Sequence, residues 1–187
     1  MSGLSFLIPL YLVDIHDLEP VELGAMLVIN SGAMATVTRF GGLLADRWGT
    51  RMPASVGLLI QISVIFIFWN LSGDTSLFVV GGSLALHGLG AGLMLASFHR
   101  YVMGTVKDAH RGAAAGFYSM VRFLGAVIGT AIAGVFLKKN LDAGLDLVAA
   151  YQETFIILAI FPIAGVLVVQ TLKESRREEV VDPIFDQ

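Results

Sequence analysis

The chain of 187 residues is 56% hydrophobic and only 14% charged, with a formal net charge of −3. A soluble domain carries about 25% charged residues, so this composition excludes a water-facing surface over most of the chain and indicates a membrane protein. The absence of cysteine excludes disulfides and thiolate chemistry, and the four histidines do not show a metal-ligand spacing. The sequence therefore predicts no enzyme, metal site, cofactor or nucleic-acid partner.

Five apolar runs reach the length of roughly 20 residues that a helix needs to cross a bilayer. They cover residues 23–45, 53–71, 76–98, 113–137 and 154–172. A sixth run, 3–13, has about half that length, so it is either an interfacial or re-entrant piece or the end of a truncated spanning helix. We expect an all-α integral membrane protein, with a transmembrane bundle over 1–172, a short amphipathic turn within 138–153 and a polar tail over 173–187.

The placement of Lys and Arg predicts the orientation of these spans. Most basic residues fall in two connections and in the tail: Arg47, Arg51, Arg100, Lys107, Arg111, Lys173, Arg176 and Arg177. These segments share one side if the runs span consecutively, whereas the other side holds Lys138 and Lys139 together with several acidic residues. By the positive-inside rule the basic side, including the tail, lies in the cytoplasm of a cell (plasma or inner) membrane.

Small residues recur at helical spacing inside two of the runs. Gly88 and Gly92 lie four residues apart, as do Gly125 and Gly129, and this spacing favours close approach of neighbouring helices. A longer series, which we call the glycine stripe, consists of Gly116, Gly125, Gly129 and Gly134. Such a stripe indicates tight packing against a neighbour or a helix that bends.

Polar residues within apolar spans are candidates for lining a cavity. Four of them are selected on polarity alone: Asn30, Gln61, His87 and Arg122. For His87 the alternative is a neutral, hydrogen-bonded side chain between helices, and for Arg122 it is an internal pairing within the bundle. No Asp or Glu lies well inside a span, so a proton-coupling carboxylate is not expected among these residues.

The connection GGLLADRWGTR, residues 41–51, carries the most specific pattern in the chain. Its spacing, Gly42-x-x-x-Asp46-Arg47-x-Gly49-x-Arg51, resembles the signature loop that joins the second and third helices of each half of a major facilitator superfamily transporter. Gly49 would permit the tight reversal, and both arginines would hold the loop in the cytoplasm and could pair with Asp46. The resemblance implies that these five residues form a conformational switch.

The apolar run 113–137 resembles the eleventh helix of the drug-exporting branches of the same superfamily. The glycine stripe keeps the spacing of the antiporter pattern, although Thr130 replaces its proline and Ala133 replaces one of its final glycines. We therefore expect the C-terminal half of the transporter, with its first helix truncated and five complete helices. An N-terminal half is the alternative.

The resemblance implies secondary transport of a small molecule, such as a drug or metabolite to be exported, by alternating access. Substrate in such a protein binds near the membrane midplane between two halves. The expected partners are then a substrate, the lipid bilayer, and either an N-terminal half or a second copy of the chain. The alternatives are a non-transporting assembly or regulatory subunit and an inactive fragment of a longer transporter.

Overall fold

The computed structural model describes residues 2–172 of the chain, apart from the side chains at positions 42, 45 and 46. The predicted tail, 173–187, lies outside the described residues, and so do its basic side chains. Within 2–172 the secondary structure is helical, as expected for an all-α fold. The α-helices are α1 Ser2–His16, α2 Pro20–Trp48, α3 Arg51–Trp69, α4 Leu77–Thr105, α5 Arg111–Asp142, α6 Leu147–Leu158 and α7 Ile160–Thr171.

Five helical segments of the described chain are long and apolar enough to cross a membrane. Four of them contain α2, α3, α4 and α5, and the fifth is formed by α6 and α7 together, over Leu147–Thr171. The helix α1 is apolar but only 15 residues long. The prediction of five long helices and one short one is therefore confirmed.

Two helix ends differ from the predicted runs around the last connection. The sequence predicts an end at 137 and a new start at 154, whereas α5 continues to Asp142 and α6 begins at Leu147. The Asp146 side chain accepts a hydrogen bond from the amide of Ala149, so it caps a helix start within a stretch that was expected to be a loop. The predicted amphipathic turn is thus replaced by two helix ends joined through 143–146, where Gly144 takes a φ of 83°.

The break between α6 and α7 falls at Ala159. Pro162, in the first turn of α7, has no amide hydrogen to donate to the carbonyl of Leu158, and its ring crowds that carbonyl. A proline therefore accounts for the interruption of what would otherwise be one long helix.

The helices cross the bundle alternately, which gives it two ends. The signature-loop end holds the connections 49–50 and 106–110 and the end of α7, whereas the acidic end holds the connections 17–19, 70–76 and 143–146. Three helices begin at the acidic end with caps that suit their positive N-termini. Glu19 and Glu22 form a reciprocal capping box before α2, Ser76 accepts from the amide of Phe78, and Asp146 caps α6.

The core is densest at the acidic end, where α1, α3 and α6 meet. Tyr11, Phe68, Tyr151 and Phe155 are fully buried there, and their rings pack mainly edge to face. We call these four residues the aromatic cluster. Hydrogen bonds reinforce it, since Tyr11 donates to the carbonyl of Ser72 and the Tyr151 hydroxyl donates to a carboxylate oxygen of Asp14.

Close backbone approach joins α2 to α4, as the spacing of Gly88 and Gly92 predicts. A Cβ added to Gly88 would lie 2.2 Å from the carbonyl oxygen of Asn30, and one added to Gly92 would lie 2.6 Å from that of Met34. No side chain fits at either distance, so only glycine allows the two helices to pack this closely. The prediction of close packing at these two glycines is confirmed.

Candidate substrate cavity and signature loop

A cavity of about 440 Å³ lies within the bundle, beside the first residues of α1. Its walls come from α1, α3, α4, α5 and the α6–α7 segment, and most of its lining side chains are apolar, including Met94, Phe98 and Phe161. Small-molecule pockets in proteins occupy roughly 300–1,000 Å³ and are mostly apolar with a few polar groups. The cavity therefore has the size and character of a small-molecule site.

Arg122 is the one charged side chain among the described residues that line this cavity. It is exposed, and its guanidinium carbon lies 4.8 Å from the centre of the neighbouring Phe123 ring. The ion pairs of the described chain join Arg111 to Asp108 and Lys138 to Asp142, and neither includes Arg122. Among the described side chains, no carboxylate pairs with this cation at the cavity.

Gln61 also lines the cavity, but its amide is engaged on the other side by His87. The Gln61 Nε2 donates to the backbone carbonyl of His87 at 2.9 Å, and Gln61 Oε1 lies 2.7 Å from His87 Nδ1. Because the amide oxygen can only accept, the His87 proton resides on Nδ1, and Nε2 is left to accept from the Ser5 hydroxyl at 3.5 Å. Three helices are joined by this chain of polar groups, which is buried at Gln61 and His87 and exposed at Ser5.

Two residues predicted at a cavity do not line this one. His87 lies behind Gln61, only 2% exposed, as the interhelical hydrogen-bonded histidine that the sequence offered as the alternative. Asn30 lies on α2 where its backbone meets Gly88, and its side-chain oxygen is buried without a hydrogen-bond partner within the described chain. Asn30 is displaced from the cavity because α2 contributes no residue to its wall, and His87 is displaced because it lies behind Gln61.

The glycine stripe divides into two parts along α5. Gly129 and Gly134 lie against α1, and a Cβ on Gly3 of that helix would lie 2.9 Å from the carbonyl oxygen of Gly129. Around Gly116 and Gly125 no other atom of the described chain comes within 4 Å of an added Cβ. The helix itself runs unbroken from Arg111 to Asp142.

The signature loop makes its reversal at Gly49, which follows the last residue of α2. Its φ of 79° and ψ of 172° are favourable for glycine but strained for other residues. The predicted turn residue therefore takes the conformation that the turn requires. Arg47 and Trp48, just before it, are exposed.

Arg51, at the start of α3, reaches the end of the last helix. Its Nε donates to the backbone carbonyl of Leu172, directly after α7, and Gln170 donates to the hydroxyl of Ser55 at 3.1 Å. A cation at a helix C-terminus satisfies a carbonyl without an intrahelical partner and complements the helix dipole. Gly42 and Asp46 fall within α2; the side chain of Asp46 lies outside the described residues, and so does its predicted pairing with the arginines.

Sequence reasoning missed Ser5 and the carbonyl of Leu172. A serine inside the short apolar run was a visible polar signal, but nothing in the local pattern places it beside His87. The carbonyl carries no sequence signal, because every residue has one.

Large apolar side chains are uncovered along α2 and α5. On α5 they include Phe117, Phe123 and Val127, and on α2 they include Val28 and Phe40. The α5 residues surround the open part of the glycine stripe. These faces are suited to contact with lipid or with another helical protein rather than with water.

This chain has bilayer-length helices, small-residue packing and a glycine turn between α2 and α3, and these features define it as a helical membrane protein. The sequence model described as Major Facilitator Superfamily matches residues 1–184. The chain belongs to this superfamily of membrane transporters.

Several curated relatives resemble the chain over most of its length. An uncharacterized MFS-type transporter, YvkA of Bacillus subtilis, is 25% identical over 96% of the chain, and the multidrug resistance protein Stp of Mycobacterium tuberculosis is 30% identical over 77%. A tetracenomycin C resistance and export protein of Streptomyces glaucescens is 25% identical over 74%. The aligned regions cover 38%, 27% and 26% of these three relatives, so the chain spans only a part of each.

Proposed function

We propose that the chain is one six-helix half of a secondary transporter that exports an amphipathic small molecule by alternating access. The observation that carries this proposal is the apolar cavity beside Arg122, within a bundle that leaves the faces of α2 and α5 uncovered. A second six-helix half, either a partner or another copy of this chain, covers those faces and completes the substrate path. The names of the Stp and tetracenomycin C relatives support export of drug-like molecules as the direction and cargo.

The half corresponds to the C-terminal one, with the signature-loop end in the cytoplasm. This orientation rests on Arg47, Arg51, Arg100, Lys107 and Arg111, which all belong to the signature-loop end, whereas Lys138 and Lys139 are at the acidic end. The acidic caps of α2 and α6 then face the outside.

The signature loop acts as a conformational switch in this proposal. The Gly49 turn and the bond from Arg51 to Leu172 tie the start of α3 to the end of α7, so that both helices move as one unit. Asp46 and Arg47 make the contact across to the other half.

Counterflow in proteoliposomes tests the proposal. Ethidium and 8-anilinonaphthalene-1-sulfonate serve as probes, with the chain reconstituted from one to many copies per vesicle, alone and together with a co-expressed N-terminal half of Stp. We expect no flux at one copy, and flux of at least one probe when a second half is present. An absence of flux in every arrangement would instead favour the non-transporting assembly or regulatory subunit.

A further inference from the structure

The cavity beside Arg122 combines an apolar interior with a single positive charge. Phe98, Met94 and Phe161 supply apolar walls, and among the described lining residues no Asp or Glu is present to balance the arginine. A cation held within a membrane-spanning helix is costly unless an anion or a set of acceptors faces it. The cavity therefore favours an occupant with an apolar body and one negative group.

The other polar side chain of the wall does not compete for this charge. Both ends of the Gln61 amide are bonded to His87, and Gln61 is only 1% exposed, so its amide is directed at His87 rather than into the cavity. The described lining residues include no carboxylate for Arg122, so an anionic occupant can supply one.

Space for the occupant is available directly next to the arginine. Gly125 lies one helical turn from Arg122 on the same wall, and no atom of the described chain lies within 4 Å of a Cβ placed there. A flat ring system can therefore lie along α5 while its charged substituent meets the guanidinium, which binds sulfonates and carboxylates through paired N–H donors.

We propose that this cavity is a binding site for amphipathic organic anions, with Arg122 contacting the anionic group and Gly125 leaving room for the apolar body. The inference rests on the proposed function and deepens it, because it names the substrate class. Positively charged compounds of the same shape are disfavoured by the same arginine.

Two probes that differ chiefly in the charge test the proposal: 8-anilinonaphthalene-1-sulfonate and the uncharged N-phenyl-1-naphthylamine. Saturable binding of each to the purified chain in nanodiscs is measured by equilibrium dialysis against empty nanodiscs. We expect the sulfonate to bind at one site and R122Q to weaken it by about 10- to 100-fold, as expected for loss of a charged hydrogen bond. R122K should retain part of the affinity, because Lys keeps the charge but not the paired donors, and binding of the uncharged probe should not change with R122Q.

Arg39, an exposed arginine of α2 that does not line the cavity, provides the matched control. R39Q should leave sulfonate binding unchanged, whereas G125L should abolish it by filling the site while the helical circular dichroism remains that of the wild type. Equal losses in R39Q and R122Q, or no loss in R122Q, would overturn the proposal. So would a phospholipid that native mass spectrometry finds in the cavity and that the sulfonate does not displace.

Because binding is measured without flux, the two proposals can fail separately. A chain that binds the sulfonate through Arg122 but supports no counterflow keeps this inference and removes the transport function. Counterflow of ethidium by a chain that has no sulfonate site would keep the transport function and remove this inference.

Discussion

The bundle has two contrasting regions. One is the closed acidic end, where α1, α3 and α6 meet, and the other consists of the outward faces of α2 and α5. At the acidic end the aromatic cluster is completely buried, and Gln152 of α6 also donates to the carbonyl of Leu71 at 2.9 Å. On α5, by contrast, Phe117 is 65% exposed and Val127 is 68% exposed.

The difference shows where the chain completes its own structure and where its surroundings must do so. In a bilayer, apolar side chains gain little by leaving lipid, so helices associate through packing, small residues and hydrogen bonds. All three are present at the acidic end or between α2 and α4. The open part of the glycine stripe on α5 has small residues without a packed neighbour in the described chain, and so it identifies the face that a second half would cover.

The largest effect is expected where a backbone contact holds α2. Gly88→Leu places a side chain against the carbonyl of Asn30, which cannot move aside, so α2 must separate from α4. We expect a loss of at least about 3 kcal/mol in the free energy of unfolding. Denaturant titration in mixed micelles measures it, and Gly82→Leu on the same helix, where an added Cβ meets nothing, should change little. Equal losses in both variants would contradict the packing of α2 on α4.

A direct contrast between the two regions comes from two Phe→Ala substitutions. Phe155→Ala leaves a void among the rings of Tyr11, Phe68 and Tyr151 and should lower the free energy of unfolding by about 3 kcal/mol, the lower end for loss of a buried phenylalanine ring. Phe117→Ala on the exposed face of α5 should change it by less than about 0.5 kcal/mol when the chain is alone. The same titration distinguishes them, and a larger loss for Phe117→Ala would reverse the comparison.

Hydrogen bonding between α3 and α4 should contribute less than packing. Gln61→Leu removes both bonds to His87 and leaves the buried Nδ1 of that ring without its partner, at an expected cost of about 1–2 kcal/mol. Ser63→Leu is the matched control, since Ser63 is exposed on the same helix and bonds only to the carbonyl of Leu59. If the two variants unfold at the same denaturant concentration, the buried network does not stabilise the bundle.

The smallest effect is expected at the signature-loop end. Arg51→Gln loses the bond to the carbonyl of Leu172, which should cost about 1 kcal/mol and act locally. Hydrogen exchange of the amides of α7 should become about fivefold faster, while those of the aromatic cluster stay unchanged. Arg47→Gln, at an exposed position, should leave α7 exchange as it is, and faster exchange throughout the chain would rule out a local role for Arg51.

Features that depend on residues close together in the sequence were predictable from it. The bilayer-length helices follow from continuous apolar runs, the Gly49 turn follows from the signature spacing, and the approach of α2 to α4 follows from Gly88 and Gly92. The start of α6 was placed too late because the Asp146 cap was taken for part of a polar connection.

Contacts between distant parts of the chain could not be predicted in the same way. Gln61 and His87 are 26 residues apart, and Arg51 is 121 residues from Leu172. Polarity within spans selected all four candidate side chains. Only the tertiary packing separates them: α2 carries Asn30 away from the cavity, and Gln61 lies in front of His87. The roles of the signature loop and of these side chains in transport stay predictions.

As one half of a transporter, this chain is proposed to need a second half. This requirement is tested most directly by counterflow of 8-anilinonaphthalene-1-sulfonate and ethidium in vesicles that each hold a single copy of the chain, confirmed by photobleaching steps. We expect no flux above that of empty vesicles at one copy, and flux once a second half is supplied. Flux from single copies would contradict it, because one chain would then form a complete path across the membrane.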